Sequence, residues 1–206
     1  MKGIFITFEG SEGCGKSTQS HLLYQYLKRK GYKAIYLREP GSTAVGEKIR
    51  KILLDAKNLT LTPVSEMLLY MAARSQIVEE IIKPALDSGK LVICDRFLDS
   101  TLAYQGYGLG LDIRLIEEIG KRVTRKISPD LTILLDLAIQ KGFKYRNRQK
   151  DRIEQRSLSY HARVRSGYLR LARRYAKRIK IVKVKGNKNQ IQKQIRKLID
   201  SFLERR

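Results

Sequence analysis

Tryptophan is absent from the 206 residues, histidine occurs only as His21 and His161, and cysteine only as Cys14 and Cys94. Two cysteines give no disulfide framework, and with two histidines they assemble no structural zinc site. Proline is held to 4 positions and glycine to 15, too few for a collagen-like or low-complexity chain. No apolar run approaches the ~18 residues of a membrane span, and the one after Met1-Lys2 is too short for a signal-peptide core. A soluble, cytoplasmic protein with no membrane partner is therefore expected. Acidic residues are scarce above all in 138–206, where Asp151, Glu154, Asp200 and Glu204 stand against 23 lysines and arginines. That third alone carries +19 of the chain's +23. Such a block attracts polyanions, whether nucleic acid, lipid surface or nucleotide phosphate, and composition does not choose among them.

What is present is enough for a packed core: 42% of the residues are hydrophobic and 31% charged. Against ~100–200 residues per domain, the absence of repeats and linkers favours one domain over 1–206. Short apolar runs alternate with segments of helical period, which predicts an α/β fold on a parallel sheet. The strands are expected at Gly3–Phe8, Lys33–Leu37, Leu91–Asp95, Leu131–Asp136 and Lys180–Lys185. The first, third and fourth are almost wholly apolar and belong in the middle, while Lys183 and Lys185 mark the fifth as an edge. Helices are expected at Lys16–Lys30, at about 112–125, and from Thr62-Pro63 to about Leu86, with Pro84 kinking the last. Two more amphipathic helices follow, one with Tyr168, Ala172, Tyr175 and Ile179 on its apolar face, the other with Ile191, Ile195, Leu198, Ile199 and Phe202. The polar stretch Gln140–Lys150 reads as a mobile insert.

Residues 10–17, Gly10-Ser11-Glu12-Gly13-Cys14-Gly15-Lys16-Ser17, match G-x-x-x-x-G-K-[ST] at every specified place. A predicted strand ends just before them and a predicted helix starts at Lys16, which aims backbone N–H groups and a helix N-terminus at phosphate oxygens. Lys16 would reach the β- and γ-phosphates of a nucleoside triphosphate, and the Ser17 hydroxyl would complete a Mg²⁺ shell. Two buried strands end in Asp95 and Asp136, and either carboxylate could sit beside the metal. Asp95 is favoured, because Arg96 next to it puts a bidentate phosphate ligand at the same sheet edge. Asp136 is expected to position the segment after it.

Five stretches, the phosphate loop among them, read in order, give a close resemblance to the thymidylate kinases. They are Phe8-Glu9-Gly10 through Thr18, Arg38-Glu39-Pro40-Gly41, Tyr70-Met71-Ala72-Ala73-Arg74, Asp95-Arg96 with Asp99 through Gly106, and Asp151-Arg152-Ile153-Glu154-Gln155. The resemblance implies transfer of the ATP γ-phosphoryl group to dTMP with Mg²⁺. It also implies a three-layer P-loop fold with a parallel sheet of order 2-3-1-4-5, and a homodimer. Gly10 through Thr18 would bind ATP. Tyr70 and Arg74, four apart on a helix, would hold thymine by stacking and hydrogen bonding, and Thr101 and Gln105 would share a second helical face toward the base. Tyr104 would lie against the deoxyribose where a 2′-hydroxyl would clash, and Glu12 would hold the 3′-hydroxyl. Glu39 and Pro40 would border the acceptor site, and Arg50, with Arg96, would bind the acceptor phosphate.

This P-loop has no arginine of its own, so the resemblance places the transition-state arginine in a lid at about 140–152. Arg146, Arg148 and Arg152 are the candidates, and the lid's Gln149-Lys150 departs from the common bacterial pattern, which leaves the choice among them open. Two other functions stay in view: a kinase of the same fold acting on another nucleoside or monophosphate, and a nucleic-acid-binding ATPase drawing on the basic third. No recognition helix, RNA-binding aromatic motif or zinc pattern supports the latter, so no specific nucleic-acid partner is expected.

Overall fold

The structure, a computed structural model, describes residues 3–144 and 151–205. Apolar runs become five strands, β1 (Ile4–Gly10), β2 (Ala34–Arg38), β3 (Leu91–Asp95), β4 (Leu131–Asp136) and β5 (Ile179–Lys183). They form one parallel sheet of order β2-β3-β1-β4-β5, the expected order, with β5 at one edge. Alternation along each strand divides the core. Ile6 and Phe8 of β1, Ile93 of β3, and Ile133 and Leu135 of β4 face one side, where α1 (Lys16–Arg29) contributes Leu23 and Leu27 and α9 (Lys188–Leu203) contributes Ile191, Ile195 and Ile199.

The opposite face is covered from two directions. Phe5, Val92 and Cys94 pack with Ile77 at the end of α3 (Pro63–Ile77) and with Ala85 and Leu86 of α4 (Lys83–Asp87). Leu134 packs with Met67 and Met71 of α3, Ile116 of α6 (Ile113–Val123), and Val164, Tyr168 and Leu171 of α8 (Leu158–Arg174). Helices on both sheet faces make the three-layer α/β arrangement of a P-loop fold.

The long segment expected from Thr62 to Leu86 does start with a Thr62 side-chain cap and Pro63 in its first turn, but it changes pitch before Pro84. Residues Val78–Ile82 form a π-turn, in which the Lys83 amide reaches back to the Val78 carbonyl. A proline cannot donate and its ring crowds the carbonyl four residues back, so the wider turn relieves both faults. A second π-turn, Leu102–Gly108, follows the short α5 (Leu98–Thr101). The helix expected to carry Ile179 ends at Arg174 instead, and Ile179 opens β5. Its burial, read as helical period, belongs to a strand. The presumed insert Gln140–Lys150 begins in a helix, α7 (Ile139–Lys144), and its residues 145–150 fall outside the described residues.

The basic third is more heavily paired than its own four acids allow, because its partners come from earlier elements. Arg156 meets Glu66, Arg174 meets Glu117, Arg178 meets Asp99, and Arg165 grips Asp136 with two bonds of 2.7 and 2.9 Å. Asp136 therefore anchors α8. Arg170, Arg173 and Lys177 are exposed, as their position off the apolar face predicts.

Candidate active site

β1 runs into the loop 10–15 and α1 begins at Lys16 with Gly15 as its N-cap, at φ +86°. No side chain caps this helix and no acid lies in its first turn, so its leading N–H groups are left for a ligand, the arrangement that binds phosphate. The Lys16 ammonium lies across the loop, 3.1 Å from the Ser11 carbonyl. Gly13, at φ +71°, lies so close to α7 that a Cβ there would collide with the Gly142 carbonyl oxygen.

Two cavities share this loop. One groove is lined by Gly13 through Gln19 together with Leu137, Val184, Lys188 and Ile191. The other, of about 290 Å³, opens on the far side of Lys16 and Ser17 and is walled by Glu12, Glu39, Pro40, Arg50, Tyr70, Asp95, Arg96, Thr101, Tyr104 and Gln105. Every residue expected at the acceptor site except Arg74 borders it. Gly10 and Ser11 of the expected donor set border neither cavity.

Arg74 is 1% exposed and lies behind the wall. It pairs with Glu39 at 2.7 Å, donates to the Thr101 hydroxyl at 2.9 Å and to the Phe97 carbonyl at 3.0 Å. Sequence spacing put Arg74 on the same face as Tyr70, but α3 turns Tyr70 toward the cavity and buries Arg74 against Glu39, just past β2, and Thr101 of α5. Burial raises the pKa of Glu39, opposed by the Arg74 charge.

The centre of the site is Arg96, which follows β3 with φ +76°, a region that strains any residue with a Cβ. Its guanidinium meets Glu12 at 2.7 Å and the Tyr104 hydroxyl at 3.1 Å, with its carbon 4.9 Å from the Tyr104 ring centroid. Tyr104 in turn donates to Glu12 at 2.7 Å. Burial opposes the Arg96 charge, but the oxygens of Tyr104, Glu12, Tyr168 and Asp95 outweigh it and hold its pKa well above the ordinary value.

Ser17 donates to Asp95 Oδ2 at 2.5 Å, while Asp95 Oδ1 is buried with no partner. Two hard oxygens beside a phosphate loop, one of them unsatisfied, suit Mg²⁺, which keeps much of its shell as water and phosphate. Among the described residues no group of three acidic, histidine or cysteine side chains converges, so a transition-metal site of that kind is not formed there.

The lid candidates separate. Arg146 and Arg148 lie outside the described residues. Arg152 is 5% exposed and does not border either cavity. It pairs with Glu66 at 2.6 Å and donates to the Leu53 carbonyl at the end of α2 (Ala44–Leu54), so it straps α2 to α3.

Sequence reading missed Glu66 altogether. This fully buried carboxylate accepts from Arg152, Arg156 and Gln105, the last at 2.8 Å, and so fixes the amide expected to face the base. A signal was available: Glu66 lies four before Tyr70 on α3, on its buried side. Tyr36 also borders the cavity without having been picked out, as do Arg38, Ser100, Asp151 and Glu154, which were quoted in the motifs but given no role.

The sequence profile of the thymidylate kinase family matches residues 8–195. A thymidylate kinase of Thermoanaerobacter sp. (strain X514) is 45% identical over 204 residues, which span 98% of this chain and 100% of that protein. One from Geotalea daltonii is 49% identical over 189 residues, 87% of this chain and 88% of its own. The crystal structure of thymidylate kinase from Ehrlichia chaffeensis superposes with a TM-score of 0.79 at 35% identity, covering 97% of this chain and 99% of that one. The match runs through the phosphate loop, Arg96 and the residues around both cavities, and the chain belongs to the thymidylate kinase family.

Proposed function

We infer that the protein phosphorylates dTMP to dTDP with ATP. One observation carries this reading: Lys16 and Ser17 border both cavities, so the phosphate loop is a common wall between a donor groove and an acceptor cavity. A phosphoryl group held at such a wall has only to pass from one side to the other, and catalysis is then alignment and charge neutralisation.

Gly13 through Thr18 cradle the donor phosphates, with Lys16 spreading its charge over the transferring oxygens. Ser17 and Asp95 are the residues that would hold Mg²⁺, which would offset the charge on the donor phosphate oxygens. Arg96, with Arg50, supplies the positive charge that holds the acceptor phosphate. Tyr70, Thr101 and Gln105 receive thymine, with Arg74 positioning Thr101 from behind. Tyr104 and Glu12 take the sugar, the ring crowding the 2′ side and the carboxylate accepting from the 3′-hydroxyl. Of the lid arginines, Arg146 and Arg148 are the candidates for the charge that develops during transfer, since Arg152 is committed to Glu66.

A homodimer is supported by exposed apolar side chains on three helices packed in series: Val45 and Ile52 on α2, Val64 and Leu68 on α3, and Leu115 on α6. Among the described residues no helix is long and apolar enough to cross a membrane.

The test is a coupled assay with ATP, Mg²⁺ and each nucleoside monophosphate and deoxynucleoside in turn. Preferential turnover of dTMP is expected, and a stronger response to another acceptor would replace this reading with a different kinase of the same fold.

A further inference from the structure

We infer that Tyr168 and Glu9 are positioning residues for Arg96, fixing its guanidinium through a pair of hydroxyls, an assignment that rests on Arg96 serving the acceptor phosphate. Neither residue borders the cavity. Glu9 is fully buried on β1, and Tyr168 is 2% exposed on α8, within the basic third of the chain.

The geometry follows from what each group can donate. Arg96 Nη1 lies 3.1 Å from the Ser100 hydroxyl and 3.2 Å from that of Tyr168. A guanidinium only donates, so both hydroxyls must present lone pairs to it and send their protons elsewhere. Glu9 receives them. Its Oε2 lies 2.6 Å from Ser100 Oγ and 2.8 Å from Tyr168 Oη, while its Oε1 accepts the Phe97 amide at 2.8 Å. The two hydroxyl oxygens are themselves 2.8 Å apart, held side by side by the one carboxylate oxygen that accepts from both. The carboxylate thus sets the direction of both hydroxyls, and they set the plane of the guanidinium. On its other side Nη2 is left to Glu12 and Tyr104.

The same contacts explain how Arg96 keeps a left-handed backbone. Its amide donates to the Phe8 carbonyl at 3.0 Å, and the next amide, Phe97, is tied to Glu9, so β1 holds the chain on both sides of the strained residue.

The experiment is a double-mutant cycle read by calorimetric dTMP affinity on the full chain at about pH 8, with thermal unfolding followed in parallel. Arg96→Ala should weaken dTMP binding. Tyr168→Phe should weaken it ~10-fold in the wild-type background, as loss of a hydrogen bond to a charged group does, and by less than about twofold once Arg96 is alanine. Glu9→Gln should show the same pattern, because the Phe97 amide keeps the glutamine oxygen at Oε1 and turns its NH₂ toward the hydroxyls. ATP affinity should be unchanged in both. A merely structural role would lower the unfolding temperature without this dependence on Arg96. Unchanged dTMP affinity in Tyr168→Phe and Glu9→Gln, or the same loss in both backgrounds, overturns the inference. If Arg96→Ala itself leaves dTMP affinity intact, the assignment of Arg96 to the acceptor phosphate fails, and the inference with it.

Discussion

Arg74 and Glu39 form an ion pair of 2.7 Å whose two side chains are 1% and 3% exposed. Neither charge has water to fall back on, so removing one partner strands the other. Arg74→Ala is expected to cost ~3–5 kcal/mol, the range for breaking a buried pair from one side. Urea unfolding measures it. A loss below ~1 kcal/mol would show that Glu39 is readily neutralised in place.

Lys16→Ala should remain folded, because this side chain packs in no core cluster, and should lose turnover by at least ~10²-fold, the scale of one preorganised donor to developing charge. Wild-type turnover in a folded variant would remove the phosphate loop from the chemistry.

Tyr104→Ala should lose discrimination between dTMP and its ribonucleotide analogue, since the ring that crowds the 2′ side is gone. Tyr104→Phe keeps the ring and should keep the discrimination, at lower dTMP affinity because the hydroxyl bond to Glu12 is lost. The ratio of kcat/KM for the two acceptors decides, and an unchanged ratio in Tyr104→Ala would return the ring to ordinary packing.

Burial, with Asp99 adding to it, pushes Glu9 up from 4.5 to about 7. The folded state then holds this proton more tightly than the unfolded state. Its contribution to stability is fully present below about 4.5 and is lost as pH rises through about 7. Glu9→Gln removes that dependence, so the stability of the wild type relative to the variant should fall across this window. Parallel pH profiles of the unfolding temperature would contradict it.

The basic exterior should bind DNA and RNA without sequence preference and with steep salt dependence, leaving dTMP phosphorylation unaffected at physiological salt. Titrations over a salt series measure this. The expectation is falsified if one sequence binds ~10³-fold more tightly than unrelated ones at that salt, a ratio that marks specific recognition.

What could be read in advance was local. The phosphate loop is legible because its glycines, Lys16 and Ser17 act within one turn of chain, and β1, β3 and β4 are legible because strands covered on both faces are apolar throughout. Ile179 was misplaced because one apolar residue at helical spacing looks the same whether the chain continues as helix or turns into an edge strand. Arg74 and Arg152 were expected at the substrate because arginine in a motif suggests phosphate or base. Their burial depends on Glu39 and Glu66, which lie 35 and 86 residues away and are invisible to any local pattern. The pairing of the basic third with Glu66, Asp99, Glu117 and Asp136 escaped for the same reason.

Gly13 and Gly142 touch backbone to backbone, leaving no space for a side chain on either. The helix α7 therefore rests directly on the phosphate loop, three residues before Lys16. A displacement of either backbone must carry the other with it, so the phosphate loop and α7 shift as one unit.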